Sequence, residues 1–318
     1  MIKRIGVLTS GGDAPGMNAA VRAVTRAALT NGLEVYAIKN GYLGMYEDRI
    51  ERFYSHSVSD KMRVGGTFIG TARLKEFSDP KIREVAVDNL RRYGIDAVVA
   101  IGGDGTYRGA LELSKMGIAT VGIPGTIDND IAGTDFTIGF DTALNTAVDC
   151  VDKLRDTSAS HHRCSVVEVM GRNCGDLAMW TAVAVGAECV ICKEHEYDIE
   201  DVVRSINKAA KTKNHAIVIV AENMLNVNEL AKVISERTPF HARTTVLGYL
   251  QRGGKPTARD RVMASEMGVK AVEALLAGEN GVCVCKRNNQ IITLPIEEAL
   301  KDDYSTIKEK YRIFKKLW

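Results

Sequence analysis

The sequence predicts an α/β protein built from two doubly wound, mostly parallel-sheet (Rossmann-like) domains. Three observations lead there. Short, continuous apolar runs alternate with longer amphipathic ones, as in parallel sheets covered by helices on both faces. Nearly every early apolar run ends in a Gly- or Asp-rich turn, and open α/β sheets bind ligands outside the carboxyl ends of their strands. The 318 residues suffice for two domains at roughly 100–200 residues each.

The elements follow in order. Ile5-Gly6-Val7-Leu8 reads as the first strand, bounded by Thr9-Ser10-Gly11-Gly12-Asp13. A helix pattern runs from about Met17 to Leu29, and Glu34–Ile38 reads as the second strand. Ala97–Ile101 is a buried strand closed by Gly102-Gly103, and Thr120–Ile123 is another, closed by Pro124-Gly125. Later strands are expected at Ser165–Met170, Cys189–Cys192, Ala216–Ala221, Thr245–Leu250 and Val282–Cys285. Helix patterns are clearest at 80–93, 139–155, 198–211 and 258–277. No repeat or linker-like stretch marks a boundary, so a chain that crosses between domains more than once is allowed.

Composition narrows the function classes. Hydrophobic residues are 45% and charged residues 26%, ordinary for a globular protein. Forty-two Lys+Arg against 40 Asp+Glu give a net charge of +2, which points to no nucleic-acid or membrane-surface partner. No apolar run reaches about 18 residues, so no membrane span is expected. Seven cysteines do not suggest a disulfide framework. With no apolar signal core at Met1–Gly6, a cytoplasmic location is expected. The 29 glycines exceed the average of about 7% and cluster where backbone can approach a ligand.

Four turns carry the chemistry. There is no Gly-x-x-x-x-Gly-Lys-[Ser/Thr] string. Instead, Thr9–Asn18 places glycines ahead of a helix N-terminus, an arrangement that holds phosphate or simply makes a tight strand-to-helix turn. Ile101-Gly102-Gly103-Asp104-Gly105-Thr106 sets one carboxylate among small residues, suited to Mg²⁺ and approaching phosphates. Lipid and NAD kinases carry a similar string, so it signals a phosphoryl donor without naming the acceptor. Pro124–Asp130 holds two carboxylates two residues apart, which point the same way if the segment is extended; one can take a proton from a hydroxyl. A calcium loop fails because its twelfth position is Gly139, while a solvated turn stays open. Val169–Gly175 sets Arg172 at a strand end, where it suits developing phosphoryl charge or stands as a lone surface charge.

With these strings in order, the chain resembles the bacterial ATP-dependent 6-phosphofructokinases from Ile5 to about Ala277. Further support comes from Gly65-Gly66-Thr67, Gly139–Ala143, Arg155-Asp156-Thr157, Ala221-Glu222 and Leu247–Gly254. The resemblance implies transfer of the ATP γ-phosphate to fructose 6-phosphate, with Mg²⁺. It implies an ATP-binding domain at 1–138 plus 252–303 and a sugar-phosphate-binding domain at 139–251 plus 304–318. Gly12, Arg73, Leu74, Gly103, Asp104, Gly105 and Thr106 would hold Mg-ATP, with Asp104 facing the metal. Asp128 would be the general base, supported by Thr126 and Asp130, and Arg172 would stabilise the transferring group. Ile127, Met170, Gly171, Glu222, Tyr249 and Arg252 would bind the sugar phosphate. Arg163 and Arg243 would reach it from a neighbouring subunit, which makes a homotetramer the expected state. In pyrophosphate-dependent relatives Asp typically replaces Gly105 and Lys replaces Gly125, filling the adenylate space; two glycines here favour ATP. A lipid or NAD kinase is disfavoured by Asp128-Asn129-Asp130 and the arginine set, and a catalytically dead nucleotide sensor by the filled catalytic positions.

Two departures stand out. Tyr249 takes the place of the usual His, and its hydroxyl reaches further and carries no positive charge. The family's effector site for ADP or phosphoenolpyruvate would use Arg22, Arg26, Ser55, Asp60, Arg155, Glu188, Lys211 and Lys213. There Ser55 stands where Arg is common and His56 where Tyr is common, so allosteric control is expected in some form. Cys189-Val-Ile-Cys192 and Cys283-Val-Cys285 read as buried small hydrophobes within strands, and His161-His162 as loop or interface structure.

Overall fold

The computed structural model describes residues 2–301 and 305–317. The chain forms β1 (Arg4–Ser10), α1 (Met17–Thr30), β2 (Glu34–Ile38), α2 (Gly41–Tyr46), β3 (Ile50–Phe53), α3 (Pro80–Arg92), β4 (Ala97–Gly102), α4 (Asp104–Lys115), β5 (Ala119–Thr126) and β6 (Ile138–Gly139). Next come α5 (Phe140–His161), β7 (Arg163–Val169), α6 (Asp176–Val185), β8 (Cys189–Ile191), α7 (Ile199–Ala209), β9 (Ala216–Ala221), α8 (Val227–Arg237) and β10 (His241–Val246). The last elements are α9 (Ala258–Leu276), β11 (Val282–Arg287), β12 (Gln290–Pro295), α10 (Ile296–Ala299) and α11 (Ser305–Leu317).

Two compact units result. One comprises Met1–Thr126, Asp130–Asp141 and Arg252–Asp302; the other Ile127–Asn129, Thr142–Gln251 and Asp303–Trp318. The chain therefore passes between them repeatedly. The expected boundary at 303–304 lies outside the described residues.

In the first unit the strand order is β12-β11-β5-β4-β1-β2-β3, with β6 beside β5. β2, β1, β4, β5 and β11 run parallel, and the outer strands β3 and β12 run antiparallel to their neighbours β2 and β11. The sequence moves outward through β2 and β3 and then returns on the other side of β1, so the order reverses between β1 and β4. A ligand crevice is expected outside the carboxyl ends of these two strands. Ile5, Val7 and Leu8 of β1 and Ala97–Ile101 of β4 are fully buried, as strands covered on both faces should be. The second unit holds a parallel sheet in the order β10-β7-β9-β8. Its reversal flanks β7.

Helix starts fall into two kinds. The side chains of Asp79, Asp198, Asn226 and Thr257 accept backbone N–H groups at the starts of α3, α7, α8 and α9, the usual N-cap stabilisation. α1, α4 and α6 begin after Gly16, Gly103 and Gly175 with no side-chain cap. Their first N–H groups are the ones that anions or incoming side chains can use.

The strand expected at Thr245–Leu250 is shifted. β10 occupies His241–Val246, and Gly248–Arg252 is a 3-10 turn. β10 is an edge strand with exposed polar positions, so its pattern lacks a continuous apolar run, while the apolar Leu247–Leu250 stretch lies beyond it. β3, with two charged and exposed positions out of four, is missed for the same reason. α6 is missed because it is mostly buried and lacks a polar face.

Cys189 and Cys192 lie in two separate cores of the second unit. Burial pushes each thiol up to about 12, so both stay protonated. Cys283 and Cys285 share the first unit's core. Among the described residues, no group of three or more His, Cys, Asp and Glu could hold a metal ion. No helix of the described residues is long and apolar enough to cross a membrane.

Candidate active site

In the first unit, three strand-end turns meet along adjacent strands. Thr106 Oγ1 donates to the Ser10 carbonyl at 3.0 Å, which ties the β4 turn to the end of β1. Tyr42 OH donates to the Thr106 carbonyl at 2.5 Å from beneath. Gly11 has φ +86°, a conformation few other residues adopt readily. A Cβ on Gly103 would stand 3.6 Å from Thr126, so the β4 and β5 ends also adjoin. Gly12, Gly103, Asp104, Gly105, Thr106 and Thr126 are thereby assembled into one surface. Thr137 Oγ1 donates to the Thr126 carbonyl at 2.6 Å and fixes the end of β5.

The neighbouring loop is clamped by a residue that sequence reasoning passed over. Asn18 is fully buried. Its Nδ2 donates to the Val64 carbonyl at 2.9 Å, and its Oδ1 accepts the Phe68 N–H at 2.9 Å. Thr9 and Thr67 hydroxyls pair at 2.8 Å, and Thr71 donates to the Gly11 carbonyl at 2.8 Å. These bonds carry the Gly65–Thr67 loop and its continuation to Arg73 and Leu74 back to the first turn. Arg73 is exposed, and Leu74 packs partly on the core. Arg252 lies here too: a Cβ on Gly12 would be 3.2 Å from its Nη2.

The two glycines expected to leave donor space open differ. A Cβ at Gly105 meets nothing within 4 Å. One at Gly125 would sit 3.0 Å from Ile101 and 3.2 Å from Met17, inside the core. Of the two, only Gly105 faces open space, so the positions differ in what a first side-chain carbon would meet.

Asp104 opens α4, and its carboxylate accepts from Arg108 Nη2, one turn on, at 3.0 Å. It is a single half-exposed carboxylate beside uncapped N–H groups. Such a site fits Mg²⁺ that is shared with substrate phosphates and waters rather than caged by protein ligands.

Asp128 and Asp130 do not lie on an extended strand. Asn129 between them takes φ +54°, so the alternation that would point both carboxylates one way does not apply. Asn tolerates this left-handed backbone better than most residues. Ile127 beside it is buried, which makes its side chain a packing group.

In the second unit, the β7 end carries Met170, Gly171 and Arg172. Gly171 has φ +144°, and a Cβ there would collide with the Cys174 carbonyl. Arg172 has φ +57°, a strained state for a long side chain. Glu222, at the end of the adjacent β9, stabilises it: Glu222 Oε1 accepts the N–H groups of Arg172 at 2.6 Å and Gly171 at 3.2 Å. Burial, and then the Glu222 charge, raise the pKa of Glu168 on β7. Tyr249 is 76% exposed on the 3-10 turn.

Arg163 and Arg243 are not gathered with this turn. Arg163 begins β7. At about 3.3 Å per residue, it lies roughly 20 Å along the strand from Val169. Arg243 pairs in register with Ser165, also toward the amino end of β7.

The expected effector residues divide by unit. Arg22 and Arg26 share a face of α1, which packs on the 3-10 turn Ser55–Val58, with Asp60 just beyond. In the second unit Glu188 is wholly enclosed. It binds Lys213 Nζ at 2.9 Å and accepts the Ile217 N–H at 2.5 Å. Arg155 reaches the Val185 carbonyl and His215, and Lys211 is exposed.

Open, mostly parallel sheets whose uncapped helices follow glycine-rich strand ends define an α/β protein of the doubly wound class. Residues 4–275 match the phosphofructokinase family, and the chain belongs to it. It is 55% identical over 303 residues to an ATP-dependent 6-phosphofructokinase of Edwardsiella ictaluri (strain 93-146), covering 95% of both chains. Among solved structures it resembles phosphofructokinase from Saccharomyces cerevisiae, with TM-score 0.88 and 34% identity over 99% of this chain. It also resembles Pichia pastoris phosphofructokinase in the T-state, with TM-score 0.90 and 36% identity over all of this chain. It spans only 47% and 37% of those two yeast chains.

Proposed function

We propose that the chain is a kinase moving the γ-phosphate of ATP to the 1-hydroxyl of fructose 6-phosphate. The products are fructose 1,6-bisphosphate and ADP, the committed step of glycolysis. The observation that carries the reading is the match to an ATP-dependent 6-phosphofructokinase along 95% of the chain, with each of the four turns present. Open space beside Gly105 supports ATP as donor over pyrophosphate.

The residues then take these parts. Gly12, Gly103, Gly105 and Thr106 cradle the nucleotide phosphates with backbone N–H groups, and Arg73 and Leu74 border it. Asp104 holds Mg²⁺ together with the phosphates; when bound, the ion neutralises charge on the transferring group. Asp128 takes the proton of the sugar 1-hydroxyl, supported by Thr126 and Asp130. Arg172 faces the charge that develops on the phosphoryl oxygens. Met170, Gly171, Glu222, Tyr249 and Arg252 bind the sugar phosphate. Arg163 and Arg243, remote from the Arg172 turn in their own chain, serve a second copy in a homotetramer. Arg22, Arg26, Ser55 and Asp60, and likewise Arg155, Glu188, Lys211 and Lys213, are effector residues for ADP or phosphoenolpyruvate at a subunit interface. The protein works in the cytoplasm, in keeping with seven free cysteines.

The test is turnover with fructose 6-phosphate and Mg²⁺, with ATP and pyrophosphate in parallel. Turnover is expected with ATP only. Asp128→Ser is expected to lower kcat by about 10²–10⁴-fold, the usual contribution of a general base. Turnover with pyrophosphate would overturn the donor assignment, and an active Asp128→Ser would overturn the base.

A further inference from the structure

We propose that Lys310 on α11 is a positioning residue for the catalytic turn and acts through Asp176 on Asn129. This rests on the reading of Asp128 as base, and all the groups involved lie in the second unit.

Asp176 opens α6, and its side chain is 4% exposed. Its two oxygens are divided between two partners. Oδ1 accepts from Lys310 Nζ at 2.7 Å, and Oδ2 accepts from Asn129 Nδ2 at 2.6 Å. A buried carboxylate is costly unless its charge is matched. The α6 N-terminus and the Lys310 ammonium both match it. Lys310 Nζ also stands 4.7 Å from the Trp180 ring, one helical turn from Asp176, so its place is set from two sides.

An ionised Asp176 can only accept hydrogen bonds, so the Asn129 amide must turn its NH₂ toward it. The Asn129 carbonyl meanwhile faces Cys174 Sγ at 3.9 Å. Side chain and main chain of Asn129 are therefore both held, in the left-handed conformation that sets the direction of the chain on leaving Asp128. Small misplacement of a reacting group is expensive in rate. The relay from α11 thus serves to keep the base in register without touching substrate itself.

The experiment measures kcat and both KM values with Mg-ATP and fructose 6-phosphate in the full-length chain. Lys310→Met is expected to lower kcat by about 10–100-fold with both KM values within about twofold. Lys310→Arg, which keeps the charge, is expected to recover most of the loss. Asn129→Gly tolerates the same backbone and removes the side chain with its amide, so it should show the same split. The double variant should fall no further than the worse single one, because the two act in one chain of contacts. If Lys310→Met does not fold, Asn129→Gly decides by the same split. Multiplying losses, or kcat within about twofold of wild type in the folded variants, would overturn the relay alone. A wild-type chain without turnover would overturn the functional reading and the relay with it.

Discussion

The turns of the first unit and those of the second solve the problem of a strand-end site in opposite ways. Around Gly12, Gly103 and Gly105 the site is made by leaving side chains out, so that main-chain N–H groups are reachable. Around Gly171 and Arg172 a side chain is put in: Glu222 grips the backbone of a strained arginine. The first design is limited by volume and the second by hydrogen bonds. Their failures should differ accordingly.

The largest effect is expected where a bond is lost. Glu222→Ala leaves the Gly171 and Arg172 N–H groups without their acceptor and frees the strained turn. We expect kcat/KM for fructose 6-phosphate to fall by about 100-fold, with Glu222→Gln, which keeps an acceptor oxygen, falling less. Equal rates for both variants would remove the bond-limited account. Next comes volume in open space. Gly105→Asp should leave the melting temperature within about 1 °C, since such a surface change shifts stability little, and should raise the KM for ATP by about tenfold, close to 1.4 kcal/mol of lost binding. A variant that melts early instead would show that Gly105 is not a volume-limited ligand position.

The third effect is volume in a filled space. Gly125→Ala presses on Ile101 and Met17 and should cost about 1–3 kcal/mol of stability, as overpacking does, with the KM for ATP nearly unchanged. The reverse pattern would restore Gly125 as a donor-site residue.

The smallest effect is one of pH. Burial, and then the Arg155 charge, hold His215 below its ordinary pKa of 6.5. Arg155 Nη1 can only donate to His215 Nε2 at 3.2 Å, so the neutral ring is the one that fits. A depressed folded-state pKa gives stability that is present above 6.5 and is lost as pH falls through the lower folded value. Melting temperature should therefore drop on acidification below about 6.5, and the drop should shrink in His215→Gln. Identical pH curves for the two proteins would assign the acid lability elsewhere.

Much of the fold was legible because buried parallel strands announce themselves. Glu34–Ile38 and Ala216–Ala221 match their expected spans. Edge strands were not legible: β10 is half polar, and its apolar neighbour Leu247–Leu250 drew the expectation past its end. The candidate site was legible as residue types at strand ends. Its geometry was not: whether the Asp128–Asp130 segment is extended stayed open in the sequence, and Asn129 at φ +54° bends it. Gly105 and Gly125 are identical as letters, and only their surroundings separate them.

By itself the sequence determined the alternation of buried strands and amphipathic helices, the glycine and aspartate turns, and through them the family. These are local properties, fixed by which side chains can be buried and which backbones can turn. The tertiary structure alone decided which turns adjoin, which glycine faces open space, and that Asp176 binds Lys310 and Asn129 across more than forty positions of chain each way. Such contacts depend on where distant segments pack, and no local pattern of residues encodes a distance.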